Sequence, residues 1–372
     1  MRTETFDDLR PYRDEEIPEA MSRITRSEYF PILASFVYPG RPVDEIKQII
    51  QSYTSINEFQ QQTMKAVNEQ VIARSIRRFT WQGIDALDKE EAYLFVSNHR
   101  DIMLDSSLLQ YALHCSGYRT TEITFGSNLM SSQLIIDVGK SNKMFKVIRG
   151  GNAKDFYHNS LHLSEYMRHT LLNKRESIWI AQRNGRTKDG IDATEQALVK
   201  LFYMSFPSDP VKALLDLHIV PVSIAYQWEP CDQRKALELY TLRRTGAYTK
   251  KPGEDLESIL TGLMQPKGDV HITVGTPLQA ADLEPLRGWP NNKFNRQVAA
   301  LLDEQIRRNY RLNCNNYIAH DLRSNSERYA SHYTPEEKET FQAHFQQGLS
   351  PEVEDKALLS DIFLGIYANP VR

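Results

Sequence analysis

Short apolar segments alternate with helical patterns through the middle of the chain. Seven segments have the length and apolar character of strands, at 79–83, 92–96, 122–126, 144–151, 177–181, 218–226 and 269–275. Between many of them apolar residues recur at helical spacing, as over 104–115, 157–172 and 191–217. Strands separated by helices are typical of βαβ units. The pattern therefore predicts an α/β fold with a largely parallel central sheet flanked by helices.

The two ends of the chain have a different pattern. Residues 1–50 are mixed and contain prolines that interrupt any long helix, whereas 57–79 has helical periodicity. Near the other end, Thr334 before Pro335 predicts the start of a helix, and Ser350 before Pro351 predicts another. We therefore divide the chain into a mostly helical region over 1–78, an α/β domain over 79–312 and a helical tail over 313–372.

Composition limits the class of protein. The 372 residues are 41% hydrophobic and 25% charged, which is an ordinary globular balance. No apolar run approaches the roughly 18 residues of a membrane span, and the acidic N-terminus does not resemble a signal peptide. The three cysteines lack metal-type spacing and suit a reducing compartment. We expect a cytoplasmic protein without a bound metal.

The net charge of −3 argues against a nucleic-acid partner, so any attraction to phosphate must be local. Between Lys140 and Gly190 there are eleven Lys or Arg residues and four Asp or Glu residues. Two basic clusters lie at predicted strand ends, over 145–149 and 182–190. Because arginine matches phosphate oxygens and glycine permits close backbone approach, these clusters predict a phosphate site. Its candidate residues are Arg149, Arg183, Gly185, Arg186 and Lys188.

A histidine lies where a predicted strand gives way to a helix. Ser97-Asn98-His99 follows the apolar run 92–96, and a helical pattern begins near Leu104. In an open α/β sheet this carboxyl edge is where ligands bind. Asp105, in or near the first turn of the helix, could accept a hydrogen bond from the imidazole. Asp101 is the alternative partner, although its closeness in sequence would require a tight local turn.

These blocks resemble the signature blocks of the glycerolipid acyltransferases, the glycerol-3-phosphate and lysophosphatidate acyltransferase superfamily. The first family block is Asn-His, four residues and an aspartate; here five residues separate His99 from Asp105, a longer spacing that a related bacterial group shares. Phe145 with Arg149 resembles the second block. Gly185-Arg186 resembles the third, although the family's glutamate is replaced by Asn184. The apolar strand around Pro221 resembles the fourth.

The resemblance implies transfer of a fatty acyl group, from acyl-CoA or acyl carrier protein, to a hydroxyl of glycerol 3-phosphate or 1-acylglycerol 3-phosphate in phospholipid synthesis. His99 would be the general base and Asp105 its partner. The arginines would bind the acceptor phosphate, and Phe145 and Pro221 would belong to the acyl or substrate pocket. The thioester is a co-substrate, and no other cofactor is implied.

Two other functions remain open from the residues. One is a metal-dependent phosphohydrolase that uses His99, Asp101 and Asp105. The other is a non-catalytic lipid-binding protein on a membrane surface. The basic clusters also suggest peripheral attachment of the enzyme itself to an anionic membrane, on the cytosolic face. The sequence makes no prediction of the oligomeric state.

Overall fold

The structure is a computed structural model that describes residues 6–148, 150, 152–349 and 353–371. In this part of the chain seven strands form one sheet in the order β1-β7-β6-β2-β5-β3-β4. The strands are β1 (Ile76–Gln82), β2 (Leu94–Ser97), β3 (Glu122–Gly126), β4 (Met144–Val147), β5 (Ile178–Ala181), β6 (Ile219–Tyr226) and β7 (Gly268–Val274). From β6 to β4 all neighbours are parallel, whereas β7 pairs antiparallel with β6 and parallel with the edge strand β1. The predicted largely parallel α/β sheet is therefore confirmed.

Helices cover the sheet and form both ends of the described chain. They are α1 (Ile17–Arg26), α2 (Phe30–Val37), α3 (Val43–Gln51), α4 (Ile56–Glu58), α5 (Lys65–Ser75), α6 (Leu104–Cys115), α7 (Gln133–Ser141), α8 (Ala153–Leu172), α9 (Gln196–Tyr203), α10 (Pro210–Asp216), α11 (Asp232–Thr245), α12 (Glu254–Met264), α13 (Ala280–Leu283), α14 (Asn291–Arg308), α15 (Cys314–Ser324), α16 (Pro335–Gly348) and α17 (Lys356–Ala368). A π-helical stretch, Phe59–Met64, joins α4 to α5.

The central strands are buried on both faces, which explains their continuous apolar sequences. In β2, Leu94 and Val96 join a core that also contains residues of α8, α9 and α14. Phe95, which points to the opposite face, joins a second core with residues of α6. Because side chains alternate across a strand, one short apolar run supplies both cores.

The N-terminal helices differ from the prediction in two ways. Pro18 and Pro31 lie in the first turns of α1 and α2, where a missing N–H is tolerated, so they begin helices rather than break them. The helix predicted over 57–79 ends at Ser75, and Ile76–Gln82 is a strand. Its β-branched and aromatic residues suit an edge strand, and β7 offers it a pairing partner.

The tail helices pack on α11 and form a separate apolar cluster that includes Ile318, Phe341 and Phe363. Thr334 caps α16 as predicted, since its hydroxyl accepts the N–H of Glu337 and the Glu337 carboxylate accepts that of Thr334. The helix start predicted at Ser350-Pro351 lies outside the described residues, and α17 begins at Lys356. The helical stretch predicted over 191–217 is two helices, α9 and α10.

Candidate active site

Two loops meet at the carboxyl edge of the sheet because β2 and β5 are neighbours. The N–H of Gln182, directly after β5, donates to the carbonyl oxygen of Ser97 at 2.7 Å. Further along, the N–H of Thr187 donates to the carbonyl oxygen of His99 at 2.6 Å. These backbone bonds hold the histidine loop against the loop that contains Arg183 and Arg186.

The imidazole of His99 is fixed by Asp105. Its Nδ1 lies 3.0 Å from Oδ2 of Asp105, and only 13% of the histidine side chain is exposed. Since a carboxylate only accepts hydrogen bonds, the Nδ1–H group donates to Asp105, and the neutral form of this imidazole has its lone pair on Nε2. The ring also contacts the indole of Trp179 edge-on, with 6.2 Å between the ring centroids. These two contacts fix the orientation of the imidazole.

The Asp105 carboxylate is itself held by three further donors. The backbone N–H groups of Arg100 and Asp101 donate to Oδ2 at 2.6 and 2.9 Å. The hydroxyl of Tyr226, the last residue of β6, donates to Oδ1 at 2.9 Å. Burial, followed by the charge of Asp105, raises the pKa of Tyr226 well above its usual range, so it remains a donor. The carboxylate thus accepts four hydrogen bonds in a buried position.

Asp101 has a different position. Its Oδ1 accepts the N–H groups of Met103 and Leu104, both at 2.9 Å, at the start of α6. Its Oδ2 is buried next to Gly262, where an added Cβ would lie 2.3 Å from that oxygen. The structure therefore places Asp105, rather than Asp101, against His99.

Arg100 turns away from the histidine into a buried charge network. Its guanidinium lies 2.7 Å from Asp192 and 3.3 Å from Glu229. Lys235 of α11 donates to Glu229 and to the carbonyl oxygen of Arg100, both at 2.6 Å. Two cations and two anions thus neutralise each other out of water, where an unpaired charge would be costly. The members of this network lie far apart along the chain, so no local sequence pattern predicted it.

Asn98 joins the same network and pins β2 to β6. Its side-chain oxygen accepts the N–H of Ile224 at 2.8 Å, while its amide nitrogen donates to the carbonyl oxygen of Ile224 and to Asp192. All of its contacts are structural. The Asn-His pair of the sequence therefore combines a residue that fixes the loop with one that faces the ligand space.

A cavity of about 620 Å³ opens beside His99, at the carboxyl ends of β2 to β5 and against α8 and α9. One part of its lining is polar, formed by His99, Arg183, Asn184, Gly185 and Arg186. The other part is largely apolar and includes Val147, Ile148, Leu163, Trp179, Leu198, Leu201 and Met204. This volume is in the range of small-molecule sites. Its two-part lining suits an amphipathic ligand with an anionic group.

The two arginines of the cavity have no carboxylate partner among the described residues. Arg186 is only 8% exposed, and its Nη1 has no hydrogen-bond partner; the same is true of Nε of Arg183. Arg186 lies beside the thiol of Cys231. Burial raises the pKa of this thiol, whereas the positive charge of Arg186 acts to lower it. Because a buried cation is costly without an anion, this pair can bind an anionic ligand.

Three predicted site residues lie elsewhere. Lys188 forms an ion pair with Glu238 of α11 and is not among the described residues that line the cavity. Phe145 is fully buried in the core against Tyr166, with 5.1 Å between ring centroids. Pro221 is buried within β6. Neither Phe145 nor Pro221 is among the described residues that line the cavity. Both side chains are buried within strands of the sheet. Arg149 lies outside the described residues.

Within the described ranges, no group of three or more His, Cys, Asp or Glu side chains could hold a metal ion. No helix in the described part of the chain has both the length and the apolar character needed to cross a bilayer.

Comparison with known proteins adds little. No family model matches the chain, and no curated protein matches it. Among solved structures the chain is similar to the 1-acyl-sn-glycerophosphate (LPA) acyltransferase PlsC from Thermotoga maritima, with 12% identity and a TM-score of 0.39. The similarity covers 79% of this chain and 94% of the other. With so low a TM-score, this likeness decides neither family nor function.

Proposed function

We propose that the protein is an O-acyltransferase. It moves a fatty acyl group from acyl-CoA or acyl carrier protein to a hydroxyl of glycerol 3-phosphate or 1-acylglycerol 3-phosphate, in phospholipid synthesis. The observation that supports this most strongly is the cavity, which is lined by the oriented His99, by two arginines without carboxylate partners among the described residues, and by many apolar side chains. The ordered sequence blocks that resemble the glycerolipid acyltransferases add to it.

The chemistry requires a base at the acceptor hydroxyl, which is a poor nucleophile. Nε2 of His99 would take the hydroxyl proton as the oxygen attacks the thioester carbonyl carbon. Collapse of the tetrahedral intermediate breaks the carbon–sulfur bond, and the imidazolium returns the proton to the leaving thiolate. Asp105 stabilises the imidazolium between these steps through the bond to Nδ1. The nucleophile is the substrate itself, so no serine or cysteine of the chain is acylated.

The arginines would orient the acceptor. Arg183 and Arg186 line the same cavity as His99, on a loop that is hydrogen-bonded to the histidine loop, so a phosphate bound to them would leave the glycerol hydroxyl near the imidazole. Gly185 lies between them with φ +76°, and an added Cβ there would meet no atom within 4 Å. The backbone at this point is therefore open to a ligand. Lys188 has no part in this proposal because Glu238 neutralises it.

The metal-dependent phosphohydrolase is less well supported by the geometry. It would need His99, Asp101 and Asp105 to converge on one ion, but Oδ1 of Asp101 accepts two backbone N–H groups at the start of α6. Oδ2 of Asp105 already contacts His99 and two N–H groups. The three side chains form a hydrogen-bonded turn instead.

Release of free thiol by purified protein tests the proposal. An acyl-CoA and an acylated carrier protein would each be offered with glycerol 3-phosphate or lysophosphatidate. Thiol release that requires one acceptor would support acyl transfer and identify both substrates. The absence of acceptor-dependent release from every pair would contradict it, as would chelator-sensitive release of inorganic phosphate in its place.

The two basic side chains Arg186 and Lys188 provide a matched pair of variants. Arg186→Ala should raise KM for the acceptor roughly tenfold or more, because a hydrogen bond to a charged group is worth about 1.5–3 kcal/mol. Lys188→Ala removes an equal charge that Glu238 already neutralises, so the acceptor KM should stay near that of the unmodified protein. Equal effects of the two substitutions would show that general charge, rather than a specific site, attracts the acceptor.

A further inference from the structure

Helix α12 lies directly against the turn that follows His99. Its buried residues are the small Ser258 and Gly262, which lie four positions apart on one face. A Cβ added at Gly262 would lie 2.3 Å from Oδ2 and 3.2 Å from Cγ of Asp101, well inside van der Waals contact. Because the whole carboxyl group is this close, turning it about its own axis would not make room. The helix therefore reaches Asp101 only because position 262 has no side chain.

Four hydrogen bonds prevent α12 from moving back. The N–H of Cys231, directly before α11, donates to Oε1 of Gln265 at 2.9 Å, and its thiol lies 3.2 Å from the carbonyl oxygen of Ser258. The buried ammonium of Lys267 donates to the carbonyl oxygens of Leu263 and Gln265, at 3.2 and 2.6 Å. These bonds hold the middle and the C-terminal end of the helix. Room for a side chain at position 262 would therefore have to come from Asp101.

Asp101 is connected to the histidine through its backbone. Its N–H donates to Oδ2 of Asp105 at 2.9 Å, and the same oxygen contacts Nδ1 of His99. Its Oδ1 accepts the N–H groups of Met103 and Leu104, where α6 begins, and Asp105 lies in the first turn of that helix. A shift of Asp101 would therefore move both a donor to Asp105 and the start of the helix that contains it.

We propose that Gly262 is a positioning residue for His99. It lets α12 close on Asp101, which fixes the turn that holds Asp105, and Asp105 in turn fixes the imidazole. Gly262 is not among the described residues that line the cavity, so it acts through Asp101 and not on the substrate. The inference rests on the proposed function, in which His99 is the general base.

Gly262→Ala tests the contact, since alanine is the smallest addition and favours a helix. In acceptor-dependent thiol release, kcat should fall roughly 10- to 100-fold, because a displacement of about 1 Å can cost 10²-fold in rate. KM for the acceptor should stay within about threefold, since Arg183 and Arg186 lie on a separate loop.

Proton NMR provides a readout that does not need turnover. The Nδ1–H of His99 should give a downfield signal that is lost in His99→Ala, and this signal should shift or broaden in Gly262→Ala. Because it reports the bond to Asp105 directly, it decides the inference even if the protein transfers no acyl group.

A second substitution should rescue the first. Asp101→Ser shortens the side chain but keeps an oxygen that can cap α6. In this background Gly262→Ala should leave kcat within about threefold of Asp101→Ser alone. Gly139→Ala in α7 is the control, since its added Cβ would lie 2.9 Å from the ring of Phe125, and it should keep both kcat and the His99 signal.

An unchanged kcat and an unchanged His99 signal in Gly262→Ala would overturn the inference. So would a loss of kcat that is equally large in the Asp101→Ser background, because the added methyl group would then act elsewhere. An equal loss in Gly139→Ala would assign the effect to packing in general.

Discussion

The hydroxyl of Tyr226 lies 2.9 Å from Oδ1 of Asp105, although the two residues are 121 positions apart in sequence. The other oxygen of Asp105 contacts Nδ1 of His99. Because β6 lies beside β2, the last residue of β6 reaches the carboxylate that orients the histidine. A tyrosine outside the histidine block is therefore part of the arrangement on which the proposed chemistry depends.

Replacing Tyr226 with Phe should affect both stability and turnover. The free energy of unfolding should fall by about 1.5–3 kcal/mol, the value of a buried hydrogen bond to a charged group. kcat should fall by roughly three- to tenfold, because Asp105 loses one of the donors that fix it. Denaturant unfolding and thiol-release kinetics measure the two effects.

Tyr203→Phe is the matched control for this substitution, since Tyr203 is also buried and donates to the neutral side chain of Asn295 at 2.9 Å. Tyr203→Phe should lower the free energy of unfolding and leave kcat unchanged. An unchanged kcat in Tyr226→Phe would show that this tyrosine only supports the fold.

The two aspartates of the histidine block should differ in their effects on turnover. Asp105→Asn should lower kcat by about 10³-fold, because an amide cannot stabilise the imidazolium and can favour the wrong tautomer. Asp101→Asn keeps an oxygen for the N–H groups of Met103 and Leu104, so kcat should change little. Thiol release by the two variants measures this. The reverse order of effects would make Asp101 the functional partner of His99.

Gly190 follows Arg183 and Arg186 in the loop after β5, which we call the arginine loop, and it lies against α17. Its φ is +77°, and an added Cβ would lie 2.2 Å from the carbonyl oxygen of Ile366 in α17. Nearby, the amide of Asn369 donates to the carbonyl oxygen of Asp189 at 2.7 Å. Gly190→Ala should therefore displace the loop, raise the acceptor KM and lower the free energy of unfolding by at least about 3 kcal/mol.

Gly246→Ala is the control for backbone strain alone. Gly246 has φ +78° at the end of α11, but an added Cβ would meet no atom within 4 Å. Its cost should be about 1–2 kcal/mol, with no change in KM. If the two alanine variants were equally stable and active, α17 would not support the arginine loop.

The sequence predicted those parts of the fold and site that depend on local pattern. Buried strands such as 92–96 and 177–181 are apolar on both faces, and the junction at His99 follows from the change to helical spacing. Tyr226 and the network around Arg100 could not be predicted in this way, because their partners come from distant segments. The order of strands, which the sequence pattern does not specify, decides which of these segments meet.

Local pattern also failed where tertiary pairing decided the structure. The helical periodicity predicted a helix that extends to Phe79. In the structure Ile76–Gln82 instead pairs with β7 as an edge strand. Lys188 looked equivalent to Arg186 in the sequence, and only the position of Glu238 on α11 separates them. The family resemblance implied that Phe145 belongs to the substrate pocket. Successive side chains of β4 point to opposite faces of the sheet, and that of Phe145 points into the core.

His271 should make the protein less stable in acid. Burial lowers its pKa to about 4, and Arg311 acts in the same direction. Between pH 6.5 and about 4 the unfolded chain binds a proton that the folded protein does not, so stability falls as the pH falls through this window. The loss by pH 4 should be on the order of 3 kcal/mol.

Replacing the histidine tests this linkage. His271→Gln should reduce the difference between the free energies of unfolding at neutral pH and near pH 4, measured by urea titration. His158→Gln on the exposed start of α8 is the control and should leave that difference unchanged. An unaltered pH dependence in His271→Gln would assign the acid sensitivity to other groups.

Acceptor-dependent thiol release by His99→Ala tests the central claim most directly. His114→Ala, which removes a half-buried imidazole from α6, serves as its control. Loss of the general base should lower kcat by roughly 10²–10⁴-fold in His99→Ala, while His114→Ala keeps the rate of the unmodified protein. Turnover by His99→Ala at the unmodified rate would contradict the role of this histidine as the base and, with it, the proposed mechanism.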